Sequence, residues 1–353
     1  MKISRRDLIA VLGGIGGVWI LKKIYHPIKY FMFKPDASQV VLNRETPKFA
    51  SNSKGKVGVV RGTDIKKMIE ESINLIGGVE QFAFDGKEVL VKPNINSDDP
   101  FPATTNPEVV GSVVQFLYDA GASNVLVGDM SNPSYLPTIK TMQKLGIKRA
   151  AEDAGAEVVS FDDDEWFSVR PEKAEYFLEF LVPKTVFKAE KLVSLPVIKT
   201  HSIATYTMSL KNFVGAIHPN SRMALHRSDD IEEMIAEINL AVHPDLVIMD
   251  GTKSMVAGGP MEGSVKDTGM ILTSSDRIAI DIVGLGVVKF FGEWKRVADI
   301  GLWEQRQIKR AAELGLGTTK ASEIDLKWKA MDDKDHEGLH QLMTSVSNYI
   351  DET

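Results

Sequence analysis

From Val57 onward the chain alternates short β-branched runs with stretches in which apolar residues recur three and four positions apart. The runs at 57–60, 88–91, 124–127 and 157–160 read as strands, and 65–76, 107–120 and 137–154 as the helices between them. In the second helix Val109, Val113, Phe116 and Leu117 share one face, and Gly121 closes it. A further set follows: strands at 176–182, 192–198, 246–249 and 270–273, and helices at 208–217, 231–241, 278–291 and 303–314. This alternation predicts an α/β fold with a mainly parallel central sheet and helices on both faces, arranged in one or two lobes. Residues 34–56 are rich in Pro, Ser, Asn and Lys, and show no period. The expected organisation is therefore an N-terminal segment 1–34, a linker 35–56, an α/β domain 57–330 and a C-terminal helix 331–353.

Composition narrows the chemistry. Of 353 residues, 43% are hydrophobic and 25% charged, an ordinary globular balance, and none is cysteine. Disulfides, thiolate zinc sites, cysteine-ligated iron–sulfur clusters and cysteine nucleophiles are excluded, which leaves oxygen, amine and imidazole groups. Charge is unevenly spread. The first 34 residues carry seven Lys and Arg against one Asp, so a net charge of −6 for the whole chain leaves a strongly acidic body. Such a body repels phosphate backbones, and nucleic acid is not an expected partner.

The N-terminus has the pattern of an address. Lys2, Arg5 and Arg6 precede 14 uncharged, mostly apolar residues at 8–21. The Ser4-Arg5-Arg6-Asp7-Leu8 stretch resembles a twin-arginine export signal, which implies a protein exported folded to the periplasm or cell envelope. Lys22 and Lys23 follow with no small-x-small cleavage pattern, so a retained membrane anchor and a released soluble protein both remain open.

Candidate chemistry lies just beyond the strands, where parallel sheets place their functional loops. The first runs deliver Lys92 and Asn94, then Asp129; later ones deliver Lys199 and His201, then Asp250. Lys211, Asn212, His218, Arg222 and His226 lie close behind. This basic and imidazole-rich segment suits a small anionic ligand, a carboxylate or a phosphate. The alternative is a divalent metal held by histidines with Asp129 or Asp250. Gly258 and Gly259, in a glycine-rich connection between two strands, offer backbone amides to an anion. As an enzyme, the protein would use His201, Lys199, Asp129 and Asp250 catalytically, with His201 or His218 moving protons. Lys92, Asn94, Lys211, Asn212, His218, Gly258 and Gly259 would hold the substrate. The rival is a non-catalytic binding or assembly protein at the membrane face.

Three further patterns carry simpler readings. Asp162-Asp163-Asp164-Glu165 lacks the spaced ligands and glycine of a calcium loop and reads as a solvated turn. Asp276 caps the helix that follows it, whereas Asp281, further along, faces either a site or solvent. His336-Glu337-Gly338-Leu339-His340 matches a zinc-protease motif literally, but too few residues follow for a third ligand, so a solvated helix is expected.

Assembled, these residues resemble the bacterial and archaeal domain-of-unknown-function 362 family. The resemblance is carried by Val89-Leu90-Val91-Lys92-Pro93-Asn94, Thr104-Thr105-Asn106-Pro107, Val127-Gly128-Asp129, Leu195-Pro196-Val197-Ile198-Lys199-Thr200-His201, Leu210-Lys211-Asn212-Phe213-Val214-Gly215, Ile248-Met249-Asp250-Gly251 and Gly258-Gly259-Pro260. It implies no particular reaction and no particular cofactor. Some members look like fusions to a ferredoxin-like module with two iron–sulfur clusters, which implies redox work. Without cysteine this chain holds no such cluster, and a redox role would need a redox or membrane partner.

Overall fold

The computed structural model describes residues 37–42 and 55–352. The export-like segment 1–34 and most of the expected linker lie outside the described residues.

Alternate side chains of the central strands feed two separate cores. Val89 and Val91 enter one hydrophobic cluster and Leu90 the other; Ile248 and Ile271 enter the first, Met249 and Leu272 the second. A strand buried on both faces needs helices on both, and this period-two split is the physical content of the predicted α/β architecture. The helices Ile65–Leu75 and Pro107–Asp119 cover one face, while Ile231–Ile238, Arg277–Phe291 and Asp333–Asp351 cover the other.

In chain order the strands are β1 (Ala37–Leu42), β2 (Gly55–Arg61), β3 (Glu88–Lys92), β4 (Asn124–Asp129), β5 (Glu157–Ser160), β6 (Trp166–Pro171), β7 (Phe180–Pro183), β8 (Lys191–Ser194), β9 (Val197–His201), β10 (Thr205–Thr207), β11 (Leu246–Gly258), β12 (Gly263–Ser274) and β13 (Ile324–Ala330). The large sheet runs β13-β2-β12-β11-β8-β3-β4-β5, with β9 alongside β11 and β10 paired to β9. The β11–β8–β3–β4–β5 portion is parallel throughout, and β12 is antiparallel to both β11 and β2. A separate three-stranded sheet holds β1, β6 and β7.

Several elements differ from the sequence expectation, each for a local reason. The helix expected over 137–154 is two, Thr138–Lys144 and Ile147–Asp153, because Gly146 takes a positive φ of 78° between them. The run at 192–198 is also two strands, β8 and β9, separated at Leu195-Pro196. Only Ser209–Asn212 of the helix expected at 208–217 is α-helical, and the chain tightens to a 3-10 turn over Phe213–Ala216. β6, β13 and the helix Pro219–His226 carry too little periodicity to stand out. β13 is an edge strand, and its exposed Lys327 and Lys329 suit such an edge. Within the stretch read as aperiodic, Ala37–Leu42 pairs in parallel with β6.

The acidic turn is not simply solvated. Asp162 is buried and accepts from the backbone N–H and hydroxyl of Thr138 at 2.7 and 2.6 Å, capping a helix. His336 and His340 lie exposed on the C-terminal helix, both rings against Trp328. Among the described residues there is no group of three or more His, Asp or Glu placed to hold a metal ion, and no helix long and apolar enough to cross a membrane.

Candidate functional site

Seven of the expected residues converge at the carboxyl ends of β3, β4 and β9. Lys92 ends β3 and Asp129 ends β4, while Lys199 and His201 are two apart on β9 and so share a face. The short helix Ser209–Asn212 brings Lys211 and Asn212 to the same place. That helix is anchored from behind: the carboxylate of Asp281, inside the apolar helix Arg277–Phe291, accepts from the N–H groups of Ser209 and Leu210 at 2.7 and 3.0 Å. Asp281 thus satisfies helix-start donors instead of facing the site, and burial pushes its carboxyl up to about 7.

The side chains interlock. Lys92 Nζ lies 2.6 Å from Asp129 Oδ1, with both side chains 1% exposed. Asp129 also accepts from the backbone N–H groups of Ile95 and Met130, each at 2.8 Å. Asn94 donates to Asn212 Oδ1 at 3.2 Å, and Asn212 donates to the carbonyl of Lys92 at 3.1 Å and to Ser194 Oγ at 2.9 Å. Lys199 Nζ donates to Asn94 Oδ1 at 2.8 Å and to the carbonyl of Ala103. A backbone without a side chain crosses this cluster at Gly215, where a Cβ would lie 2.4 Å from Asp129 Oδ1 and 2.6 Å from Lys92 Nζ.

Two connected hollows open here. An inner recess of about 40 Å³ is lined by Lys92, Asn94, Asp129, Lys199, His201, Thr207, Lys211, Asn212 and Arg222, among others. An outer vestibule of about 450 Å³ shares Asn96, His201, Lys211, Val214, Arg222 and Pro260 with it, and adds Ile203, Pro219, Met223, His226 and Met261. Among the described residues the recess is electrically one-sided, with four cationic side chains and a single carboxylate, which is already paired.

The imbalance is sharpest at Lys211. Its side chain is 8% exposed, and among the described residues its ammonium has neither a hydrogen-bond acceptor nor a carboxylate partner. Burial, and then the charge of Arg222, pushes it down to about 8. Lys199 is pushed down to about 7 by burial and by Lys211. Arg222 spends three of its five N–H donors on the carbonyls of Ile217, Ser131 and Met130, which fixes its guanidinium in place. Thr207 Oγ1, also on the recess wall, is buried without a partner.

His201 is held neutral. Its Nδ1 accepts from the N–H groups of Ile203 and Ala204 at 3.1 and 3.2 Å, which puts the ring proton on Nε2. Burial and the neighbouring lysines hold it far below the ordinary histidine range, so it is a hydrogen-bond donor and has no proton to exchange near neutrality.

Four expected residues stand elsewhere. His218 caps the helix Pro219–His226, accepting from the N–H of Asn220 at 3.1 Å with its ring edge-on to Trp166, and it lines neither hollow. Asp250 lines neither hollow either; it accepts from the N–H and hydroxyl of Thr252 and the N–H of Asn106, and burial pushes it up to about 6. Gly258 and Gly259 form the β11–β12 turn with positive φ of 82° and 75°. The Gly259 amide is committed to Glu262 O at 2.7 Å, and a Cβ there would lie 2.0 Å from Thr200 O. These glycines let the turn lie against β9 and deliver Pro260 to the site, in place of wrapping an anion. Sequence reasoning did not single out Thr207, Asn96 or Pro260 as lining residues; none carries a signal of its own. Arg222 stood out only as one cation within a basic segment.

Comparison with known proteins places this geometry in context. A thylakoid-associated protein of Synechocystis is 27% identical over 215 residues, covering 59% of this chain and 65% of the relative, so the chain spans less than two thirds of that protein's length. Among solved structures, a lactate racemase apoprotein from Thermoanaerobacterium thermosaccharolyticum aligns over 80% of this chain and 85% of its own, with a TM-score of 0.38 at 10% identity. A structural-genomics protein from Thermotoga maritima aligns over 60% of this chain and 55% of its own, with a TM-score of 0.37 at 13% identity. The model of a domain of unknown function, DUF362, matches residues 89–286. That span contains every residue lining the two hollows and more than half of the chain, and the protein belongs to the DUF362 family.

Proposed function

We propose that the recess binds the anionic group of a small molecule, a carboxylate or a phosphate. The observation that carries this reading is the buried ammonium of Lys211, left without an acceptor beside three other cations and only one, already paired, carboxylate. A buried ammonium without a counter-ion is costly, and an entering anion would relieve that cost with charge-assisted hydrogen bonds. Lys211 supplies the charge, while His201 Nε2–H and the Thr207 hydroxyl add neutral donors. The same excess of cations argues against the divalent-metal alternative. The twin-arginine-like N-terminus supports reading this as the site of a protein exported folded.

Lys211→Met is expected to weaken binding of acetate, sulfate or phosphate to the full chain by about 10- to 100-fold, the worth of one hydrogen bond to a charged group. Isothermal titration checks this, and unchanged affinity would remove Lys211 from the site.

The charge state makes the reading pH-dependent. The folded Lys211 value, about 8, lies below its ordinary 10.5, so its protonated form costs stability in the empty protein and binds the anion best. Acetate, whose charge is constant above pH 6, should therefore bind progressively more weakly between pH 7 and 9. The rise in melting temperature that it produces should shrink over the same interval. A pH-independent shift would contradict the assignment.

If turnover accompanies binding, Lys199, pushed down to about 7 and without a carboxylate partner, can take up and release a proton near neutrality where His201 cannot.

A further inference from the structure

The recess and the vestibule differ in character, and their junction orders them. About 40 Å³ leaves room for little more than a carboxylate or a water or two, so any ligand larger than that must extend outward. The recess borders the 450 Å³ vestibule along shared residues that include Lys211, His201 and Pro260, and that volume is typical of small-molecule sites. The vestibule wall contains Ile203, Met223, Pro219 and Met261, and among the described residues no Asp or Glu lines it. Ile203 and Met261 are 52% and 42% exposed, large apolar side chains left uncovered around one opening. The methionines are unbranched and can conform to a flexible apolar surface.

We infer that the ligand is an amphiphile, with its anionic head at Lys211 in the recess and an apolar body of several carbons against Met223, Met261 and Ile203 in the vestibule. This inference rests on the anion reading above and adds the class of molecule. A short hydrophilic anion such as phosphate alone would fill the recess and leave the apolar wall wet. A chain or ring attached to the head would bury that wall, which is the stabilising term the hydrophobic effect supplies.

The test titrates the full chain with acetate, butyrate, hexanoate and octanoate by calorimetry at pH 7, where the head group is the same and only the tail grows. Affinity is expected to tighten about fourfold for each methylene that reaches the vestibule, making octanoate about a hundredfold or more tighter than acetate. In Met223→Gln/Met261→Gln the increase with chain length should flatten. Acetate binding with no gain along the series would overturn the amphiphile and leave the anion reading intact. A gain that persists unchanged in the double variant places the tail elsewhere, and overturns it as well. Binding of none of the four, nor of phosphate, would remove the anion reading itself and the amphiphile with it.

Discussion

Lys92→Met is expected to cost about 3–5 kcal/mol of folding stability, read as a lower urea midpoint at unchanged m-value. The substitution keeps most of the apolar stem and deletes the charge that faces Asp129 at 2.6 Å, where neither side chain is more than 1% exposed. Burial pushes Asp129 up and Lys92 down, each towards its neutral form; their mutual contact resists this for both, and at Asp129 the charge of Arg222 and the Met130 N–H resist it as well. Remove the lysine, and the carboxylate keeps its two backbone donors, from Ile95 and Met130, but loses its counter-ion. Its folded pKa then rises further above the unfolded value. A raised carboxyl contributes stability below the unfolded pKa that is lost as pH climbs through the folded one, so the deficit of Lys92→Met should be smaller at pH 5 than at pH 8. Adding Asp129→Asn should recover only part of the loss, because an amide can accept from one of the two backbone N–H groups and presents a donor to the other. A deficit below about 1 kcal/mol, flat with pH, would mean that the pair is not ionic.

Gly215→Ala should destabilise the protein by about 2–3 kcal/mol and weaken anion binding together. The sign is informative. Gly215 is not among the glycines with positive φ, and replacing a glycine whose φ is negative by alanine ordinarily stabilises by about 0.4–1 kcal/mol through the unfolded chain. Here the added methyl would lie 2.4 Å from Asp129 Oδ1, 2.6 Å from Lys92 Nζ and 3.2 Å from Lys92 Cε, the two ends of a buried ion pair with no slack. Either the 3-10 turn Phe213–Ala216 retreats, moving neighbouring Lys211, or the pair separates into the 40 Å³ recess. Both routes alter the cationic cluster, so acetate affinity should fall with the urea midpoint. A stabilised Gly215→Ala protein that binds acetate normally would show that the close approach is not a constraint.

The readable part of the fold was the part with strong periodicity. β3, β4, β5 and the helices Ile65–Leu75, Pro107–Asp119 and Arg277–Phe291 fall within a residue or two of the expected positions, since the strands are short β-branched apolar runs and the helices bury three-to-four spaced apolar sets. β13 and the helix Pro219–His226 are half exposed and carry mixed faces, and β6 belongs to the small sheet. None has enough apolar repetition to declare itself. Of the site, Lys199 and His201 were visible because a cation and an imidazole after an apolar run have no obvious turn role, although His201 Nδ1 accepts from the N–H groups of the turn that follows it. Asp250 and His218 looked alike on paper, yet one ties β11 to the start of the helix Pro107–Asp119 and the other caps a helix. Residue type and spacing do not distinguish a buried polar group that serves the backbone from one that faces a hollow.

By itself, the amino-acid order determined the alternation of strands and helices, the absence of thiol chemistry and the delivery of Lys92, Asn94, Asp129, Lys199 and His201 to strand ends, because these follow from local periodicity and composition. Only the tertiary structure decided which charges cancel. Partnership depends on distances across 37 positions for Lys92 and Asp129, and on whether any acceptor comes within reach of Lys211. Those distances are set by packing of both cores against one sheet, and among the described residues that packing leaves the buried ammonium of Lys211 without one.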